Sequence, residues 1–222
     1  MIRKNQTAGA LDAVAKAEKA ALPSGKPKKE TLAQASWSAR LITTETWPDF
    51  ERMFAKHRGC QGGCWCAFHI CSSGEFNRLD REGHKMRHKD AVEQGLTSGV
   101  ICYLNEIPVG WCQFGPAFSF EHNNRSRAYQ ALAPELAVIP DWRITCVFVD
   151  KDYRGLGLSR KVLAEAVAAI KRLGGGMTEA FPMEVPEAKR PQYTGSVAMY
   201  EAEGFLCVAP LGKNSFLMRA KL

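Results

Sequence analysis

RITCVFVDKDYRGLGLSRKVLAEAVAAIKRLGGG, residues 143–176, is the stretch from which the fold is read. It opens on an apolar, β-branched run at residues 144–149 with charge on either side. Apolar on both faces, such a run predicts a strand buried in the middle of a sheet. Arg154-Gly155-Leu156-Gly157-Leu158-Ser159 follows, and behind it Val162, Leu163, Ala166, Val167 and Ile170 share one face of a predicted helix. Lys171 and Arg172 stand in its last turn, where cations suit the helix dipole, and Gly174-Gly175-Gly176 ends it.

Strand, glycine loop and helix together make a device for holding an anion. The first amides of a helix have no internal partner and carry partial positive charge. Gly155 and Gly157 let a phosphate approach the backbone, and Arg154 adds a charged donor. A lone Gly-x-Gly also serves as a plain turn; the strand before it, the helix behind it and the arginine at its head favour phosphate. Arg160 stands where the third glycine of G-x-G-x-x-G would fall, and G-x-x-x-x-G-K-[ST] does not occur.

The loop Arg154-x-x-Gly157-x-Ser159 resembles the Arg/Gln-x-x-Gly-x-Gly/Ala loop of the GNAT superfamily of acyl-CoA-dependent N-acyltransferases, with Ser159 in place of the usual Gly or Ala. Downstream, Tyr200-Glu201-Ala202-Glu203-Gly204-Phe205 is similar to the Tyr-x-x-x-Gly-Phe end of that family's penultimate helix. Tyr193 stands seven residues before Tyr200, where the family often has asparagine. The resemblance spans residues 37–222 and is strongest over 143–205.

The resemblance implies the GNAT fold, an α/β (α+β) domain. Its single mixed, mostly antiparallel sheet is splayed at the coenzyme site and flanked by helices. It implies acetyl-CoA as co-substrate, no metal, and direct acyl transfer to a primary amine of a small acceptor. Val147, Phe148 and Val149 are then expected to pair with the pantetheine arm through their backbone. Arg154, Gly155, Leu156, Gly157, Leu158, Ser159 and Arg160 are expected to cradle the pyrophosphate, and Tyr200 to protonate the departing thiolate. Attack requires a neutral amine, so a base is needed; Glu179 on the next strand is the first candidate and Glu135 the second. A backbone amide near Val149 is expected to hold the oxyanion.

The chain divides into an extension at residues 1–35 and a domain at residues 36–222. The extension holds seven Lys/Arg against three acids, a net of +4 in a chain whose total is +7. Residues 8–22 are alanine-rich enough for a helix, and Pro23-Ser24-Gly25-Lys26-Pro27-Lys28-Lys29 reads as a charged linker. The extension reads as a solubilising tail in preference to an arm for nucleic acid or another acidic partner. No apolar run approaches the ~18 residues of a membrane span, and no apolar core follows the basic start as in a secretory signal. A cytoplasmic protein with acetyl-CoA and an amine as partners is expected, with neither membrane nor nucleic acid; a homodimer stays open.

Residues 59–74, GCQGGCWCAFHICSSG, gather Cys60, Cys64, Cys66 and Cys71 beside His57 and His69. Cys60-x₃-Cys64 has zinc-site spacing, but Cys64-x-Cys66 is too tight and no second pair follows, so no metal is expected. A subset of GNAT-like bacterial proteins carries a Gly-Cys-Trp-Cys segment here. The segment is expected to place Trp65 and Cys66 on the wall of an acceptor pocket, facing Trp111 and Gln113 from a central hairpin. Cys102, Cys112 and Cys146 lie in strand-like runs and read as small buried hydrophobes. Residues 78–94 read as a basic helix with a solvated face, and the long irregular residues 115–141 as a substrate cover. Two competing readings remain: a catalytically silent CoA-binding or interaction module, and a zinc-dependent interaction domain.

Overall fold

A computed structural model describes residues 34–186 and 193–222. The alanine-rich segment, the basic linker, and Glu187, Lys189 and Arg190 of the loop before Tyr193 lie outside the described residues. The strands are β1 (Trp37–Leu41), β2 (Ser98–Leu104), β3 (Ile107–Pro116), β4 (Trp142–Val149), β5 (Met177–Ala180), β6 (Leu206–Pro210) and β7 (Phe216–Lys221). They form one sheet in the order β1-β2-β3-β4-β5-β7-β6, antiparallel throughout except for the parallel pair β4–β5. This is the mixed, mostly antiparallel sheet the resemblance implies.

Helices cover both faces. The 15-residue helix α6 (Leu158–Arg172) lays Val162, Leu163, Ala166, Val167 and Ile170 on one face, against Val147 and Val149 of β4 and Cys112 of β3. The strand period of two sends the intervening Cys146 and Phe148 to the other face. There they meet Phe50 and Phe54 of α1 (Trp47–Ala55) and Trp65. Aromatic contact fixes this second layer: Phe50 stacks on Phe54 at 4.1 Å and meets Trp111 edge-on at 4.9 Å.

Residues 78–94 split between α2 (Ser73–Arg78) and α3 (Arg81–Glu93), and α3 keeps the expected solvated basic face while burying His84, His88 and Ala91 on the other. Its histidines fix that buried face. His88 sits edge-on to Trp47, Phe50 and Trp111, while His84 bridges the carbonyls of Gly63 and Phe76, each at 2.9 Å. Residues 115–141 are not wholly irregular either, since they carry the short helices α4 (Glu121–Asn124) and α5 (Arg127–Leu132). After β5, helix α7 (Val197–Ala202) leads into the closing β6–β7 hairpin. Among the described residues, no helix is long and apolar enough to cross a membrane.

Candidate active site

The site is organised by a defect in β4. Gln113 pairs with Cys146 but Phe114 with Ile144, so Thr145 is an extra residue, a bulge. A bulge bends its strand and increases its twist. Beyond it β4 leaves β5: their pairing ends at Ile144 opposite Ala180. Past that point the backbones of Val147 and Val149 face a cleft instead of a strand.

Tyr193 stands in that cleft. Its carbonyl accepts from Val147 N at 2.6 Å, and its ring stacks on Phe148 at 5.8 Å between centroids. Arg154 closes the outer end, donating from Nε to Val149 O at 3.0 Å and from Nη2 to the Tyr193 hydroxyl at 3.4 Å. The side chain expected to face a phosphate is therefore folded back onto the end of β4. Below it, Asp150 is buried among Lys56, His57 and the Asp152 amide. Burial raises its carboxyl, but the adjacent His57 ring and the hydrogen bonds from the Asp152 amide and Lys56 more than offset this and hold it at about 2. This cluster ties the end of α1 to the strand end that the loop leaves.

Gly157 caps α6 with φ +76, a left-handed conformation that disfavours any residue with a Cβ. Gly155 likewise has φ +78, and a Cβ added at either glycine would meet nothing within 4 Å. The loop surface is thus open. Among the described residues no side chain caps α6, and no acid stands in its first turn. Leu158 is buried and anchors the turn, while Ser159 and Arg160 flank it at the surface. The amides at the start of this long helix are thus left without a side-chain acceptor among the described residues, while Arg154 is engaged with Val149 O.

Tyr200 projects from α7 into the interior and is fully buried, with its hydroxyl lacking any partner among the described residues. It packs in the same cluster as Val147, and a Cβ on Gly195 would stand 3.6 Å from its hydroxyl. Burial, reinforced by the nearby Cys112 and Cys146 thiols, holds the phenol well above its ordinary pKa. A protonated, solvent-shielded donor with no acceptor is what a departing thiolate needs.

Glu179 is a correction. It is fully buried and accepts from Arg143 Nε at 2.9 Å, Arg219 Nη2 at 2.6 Å and the Tyr129 hydroxyl at 3.1 Å. The strand registers dictate this, because Arg143 and Arg219 are its direct cross-strand neighbours. A carboxylate so engaged has no lone pair to offer an amine; it is an internal ion pair. Glu135 is exposed and does not line the cavity described next.

That cavity, about 480 Å³, lies on the second face of the sheet. Cys64, Cys66, Phe68, His69, Phe76, Thr145, Cys146, Met183, Tyr193 and Thr194 line it together with Gln61. Of the four expected pocket residues, only Cys66 lines it. Trp111 lies behind the wall, its Nε1 donating to Cys66 Sγ at 3.3 Å. Gln113 is also behind it, donating to Cys66 O at 3.0 Å, and Trp65 is packed into the aromatic layer. The physical reason is depth: the Cys-rich segment fills the space over β3 that the hairpin residues were expected to border. Cys146, expected to be a plain core residue, instead faces the cavity.

Tight backbone holds this segment in place. Cys60, Gln61, Trp65 and Cys66 all have positive φ, and a Cβ on Gly59 would strike the Trp65 ring at 2.3 Å. Such strain persists only where the surroundings over-determine it. The eight cysteines are free thiols. Burial pushes the Cys64 thiol up to about 12 and raises those of Cys60 and Cys66. Protonated thiols are poor nucleophiles. Among the described residues, no group of three or more His, Cys, Asp or Glu is arranged to hold a metal ion. A larger, open hollow of about 750 Å³, lined by Phe118, Tyr129, Ile139 and Trp142, stands at the opposite end of β4 and touches none of the loop residues. Residues 115–141 border this hollow instead of covering the cavity, whose wall they touch from behind through His122 and Asn123, against Phe68 and His69.

Comparison with known proteins agrees with this layout. The sequence profile of the Acetyltransferase (GNAT) family matches residues 64–205, more than half of the chain. The chain belongs to that family. A search of curated proteins gives no match. Among solved structures, a ribosomal-protein-alanine N-acetyltransferase from Brucella melitensis superposes with a TM-score of 0.50 at 15% identity, covering 83% of this chain and 99% of its own. The PaiA N-acetyltransferase from Thermoplasma acidophilum, solved with coenzyme A, has a TM-score of 0.49 at 11% identity, covering 84% and 99%. An uncharacterised protein from Bacillus halodurans has a TM-score of 0.49 at 11% identity, covering 86% of each chain. At 15% identity the likeness to the Brucella melitensis enzyme speaks to fold alone.

Proposed function

We propose that this protein moves an acetyl group from acetyl-CoA directly to a primary amino group of a small acceptor. The observation that carries the reading is the Tyr200 hydroxyl, buried and without a partner among the described residues, in the cluster that packs against the unpaired end of β4. Buried polar groups are nearly always satisfied, so one left over at a cleft points to a ligand atom.

In this reading the amides at the start of α6, with Gly155 and Gly157, hold the pyrophosphate. The backbones of Val147 and Val149 hold the pantetheine arm. Val147 N is the donor for the thioester carbonyl and for the oxyanion that develops on it, and the Tyr193 carbonyl vacates it on binding. As the acceptor nitrogen bonds to the carbonyl carbon and the C–S bond breaks, Tyr200 gives its proton to the departing sulfur. The nitrogen releases its surplus proton to solvent, and the phenolate regains one from solvent.

Thiol release from acetyl-CoA in the presence of a panel of amines tests this. Tyr200→Phe is expected to lower kcat by about 10–10³-fold with little change in acetyl-CoA affinity. Unchanged turnover in that variant removes Tyr200 from the chemistry. The contact of the Tyr193 carbonyl with Val147 N favours a second reading, a silent module whose cleft is closed by its own chain. Binding of acetyl-CoA without turnover of any amine supports it.

A further inference from the structure

The cavity wall holds an oriented base that the roles above do not use. His69 Nδ1 lies 3.0 Å from Asn123 Oδ1, and His122 N donates to His69 O at 3.2 Å. An amide oxygen only accepts, so in this arrangement Nδ1 carries the proton and Nε2 the lone pair. Asn123 is itself buried on α4. His69 is therefore tied to α4 twice, by its side chain to Asn123 and by its backbone to His122.

The groups facing His69 are the His122 ring at 6.0 Å, the Phe68 ring at 5.1 Å and, across the cavity, the thiols of Cys64, Cys66 and Cys146. Burial pushes its imidazole down to about 4 against the hydrogen bond to Asn123, with His122 lowering it further. At neutral pH it is the free base. The remainder of the wall is aromatic or soft: Phe68, Phe76, Met183, Tyr193 and the thiols. Such a wall suits a flat aromatic body. An ammonium group entering it would lose its hydration, with no carboxylate among the described lining residues to replace it.

Resting on the acetyl-transfer reading above, we propose that this cavity takes an aromatic amine, with an uncharged amino group on an aryl body. His69, oriented by Asn123, receives the proton that the amine nitrogen sheds. The nitrogen lone pair forms the C–N bond, and the C–S bond breaks with its electron pair leaving on sulfur. The sulfur takes the Tyr200 proton, and the nitrogen's proton passes to His69 Nε2 and on to solvent.

The test compares p-anisidine with putrescine as acceptors for the full chain, following thiol release from acetyl-CoA. Expected is a kcat/KM for p-anisidine about 100-fold or more above that for putrescine. His69→Ala is expected to lower kcat for p-anisidine by about 10²-fold, leave the KM for acetyl-CoA unchanged, and recover turnover when free imidazole is added. Should His69→Ala fail to fold, His69→Gln, whose amide can keep the bond to Asn123, is expected to fold and to show the same loss. Preference for putrescine overturns the proposal while leaving acetyl transfer intact. So does full kcat in either variant, or a loss that imidazole does not rescue. If neither amine releases thiol and acetyl-CoA does not stabilise the protein, acetyl transfer itself falls, and this proposal with it.

Discussion

Glu179→Gln separates a catalytic from a structural account of the residue the sequence favoured as base. Its carboxylate bridges two guanidinium groups and a phenol across three adjacent strands. With the charge gone, Arg143, 1% exposed, and Arg219 lose their paired carboxylate; Arg143 keeps Ala117 O and Asn124 Oδ1, Arg219 keeps Val138 O, and the two share one amide oxygen. Breaking a buried ion pair by removing one partner costs about 3–5 kcal/mol. That is a large share of the ~5–15 kcal/mol by which a typical domain is stable. For a chain of this size it corresponds to a fall in Tm of roughly 6–20 °C. The assay is thermal unfolding of both proteins, paired with kcat measured well below the variant's transition. Lost stability with kcat per folded molecule kept within a few-fold is the expected result. Unchanged Tm with kcat down by about 10²-fold or more would refute the structural account and restore Glu179 as a base.

Tyr200→Phe, expected to impair turnover, should also raise stability by about 1 kcal/mol, because it removes a buried hydroxyl that has no partner among the described residues; urea unfolding reads this, and a loss of stability would mean the hydroxyl is bonded. Gly157→Val places a β-branched residue at φ +76 and is expected to cost about 1–3 kcal/mol and to raise the KM for acetyl-CoA at least about tenfold, whereas an unchanged KM would move the coenzyme away from the loop. His88 is fully buried and burial pushes its imidazole down to about 3 from 6.5, with the Arg87 charge adding to this. The folded form resists a proton that the unfolded form takes. Stability is therefore full above pH 6.5 and declines as pH falls towards 3. The loss at pH 5 is about 2 kcal/mol. Chemical unfolding at pH 7.5 and pH 5 should show the decline in the wild type and a smaller one in His88→Leu; equal declines would take His88 out of the acid response.

The strand, loop and helix at residues 143–176 were legible because each announces itself locally, by an apolar run, paired glycines and a 3.6-residue stripe. Tyr200 was legible through its spacing to Gly204 and Phe205. What sequence could not convey was register. Arg143 and Arg219 lie 36 and 40 residues from Glu179, and only the β4–β5 and β5–β7 pairings bring them alongside it. Likewise, alternation in β3 puts Trp111 and Gln113 on one face, but nothing local says that the Cys-rich segment lies over them. His69 gave no signal beyond proximity to cysteines, since its orienter Asn123 lies 54 residues away in a stretch read as cover. The buried histidines of α3 were masked by the basic residues around them.

The central claim is that acetyl-CoA binds across the glycine loop and the open end of β4. Thermal unfolding with and without acetyl-CoA, on the wild type and Gly157→Val side by side, tests it most directly. A ligand that binds only the folded state stabilises it by about 2.7 kcal/mol at 100 times its Kd. The account predicts such stabilisation for the wild type and its loss in Gly157→Val. Equal stabilisation of both proteins, or none in the wild type at saturating acetyl-CoA, would contradict it.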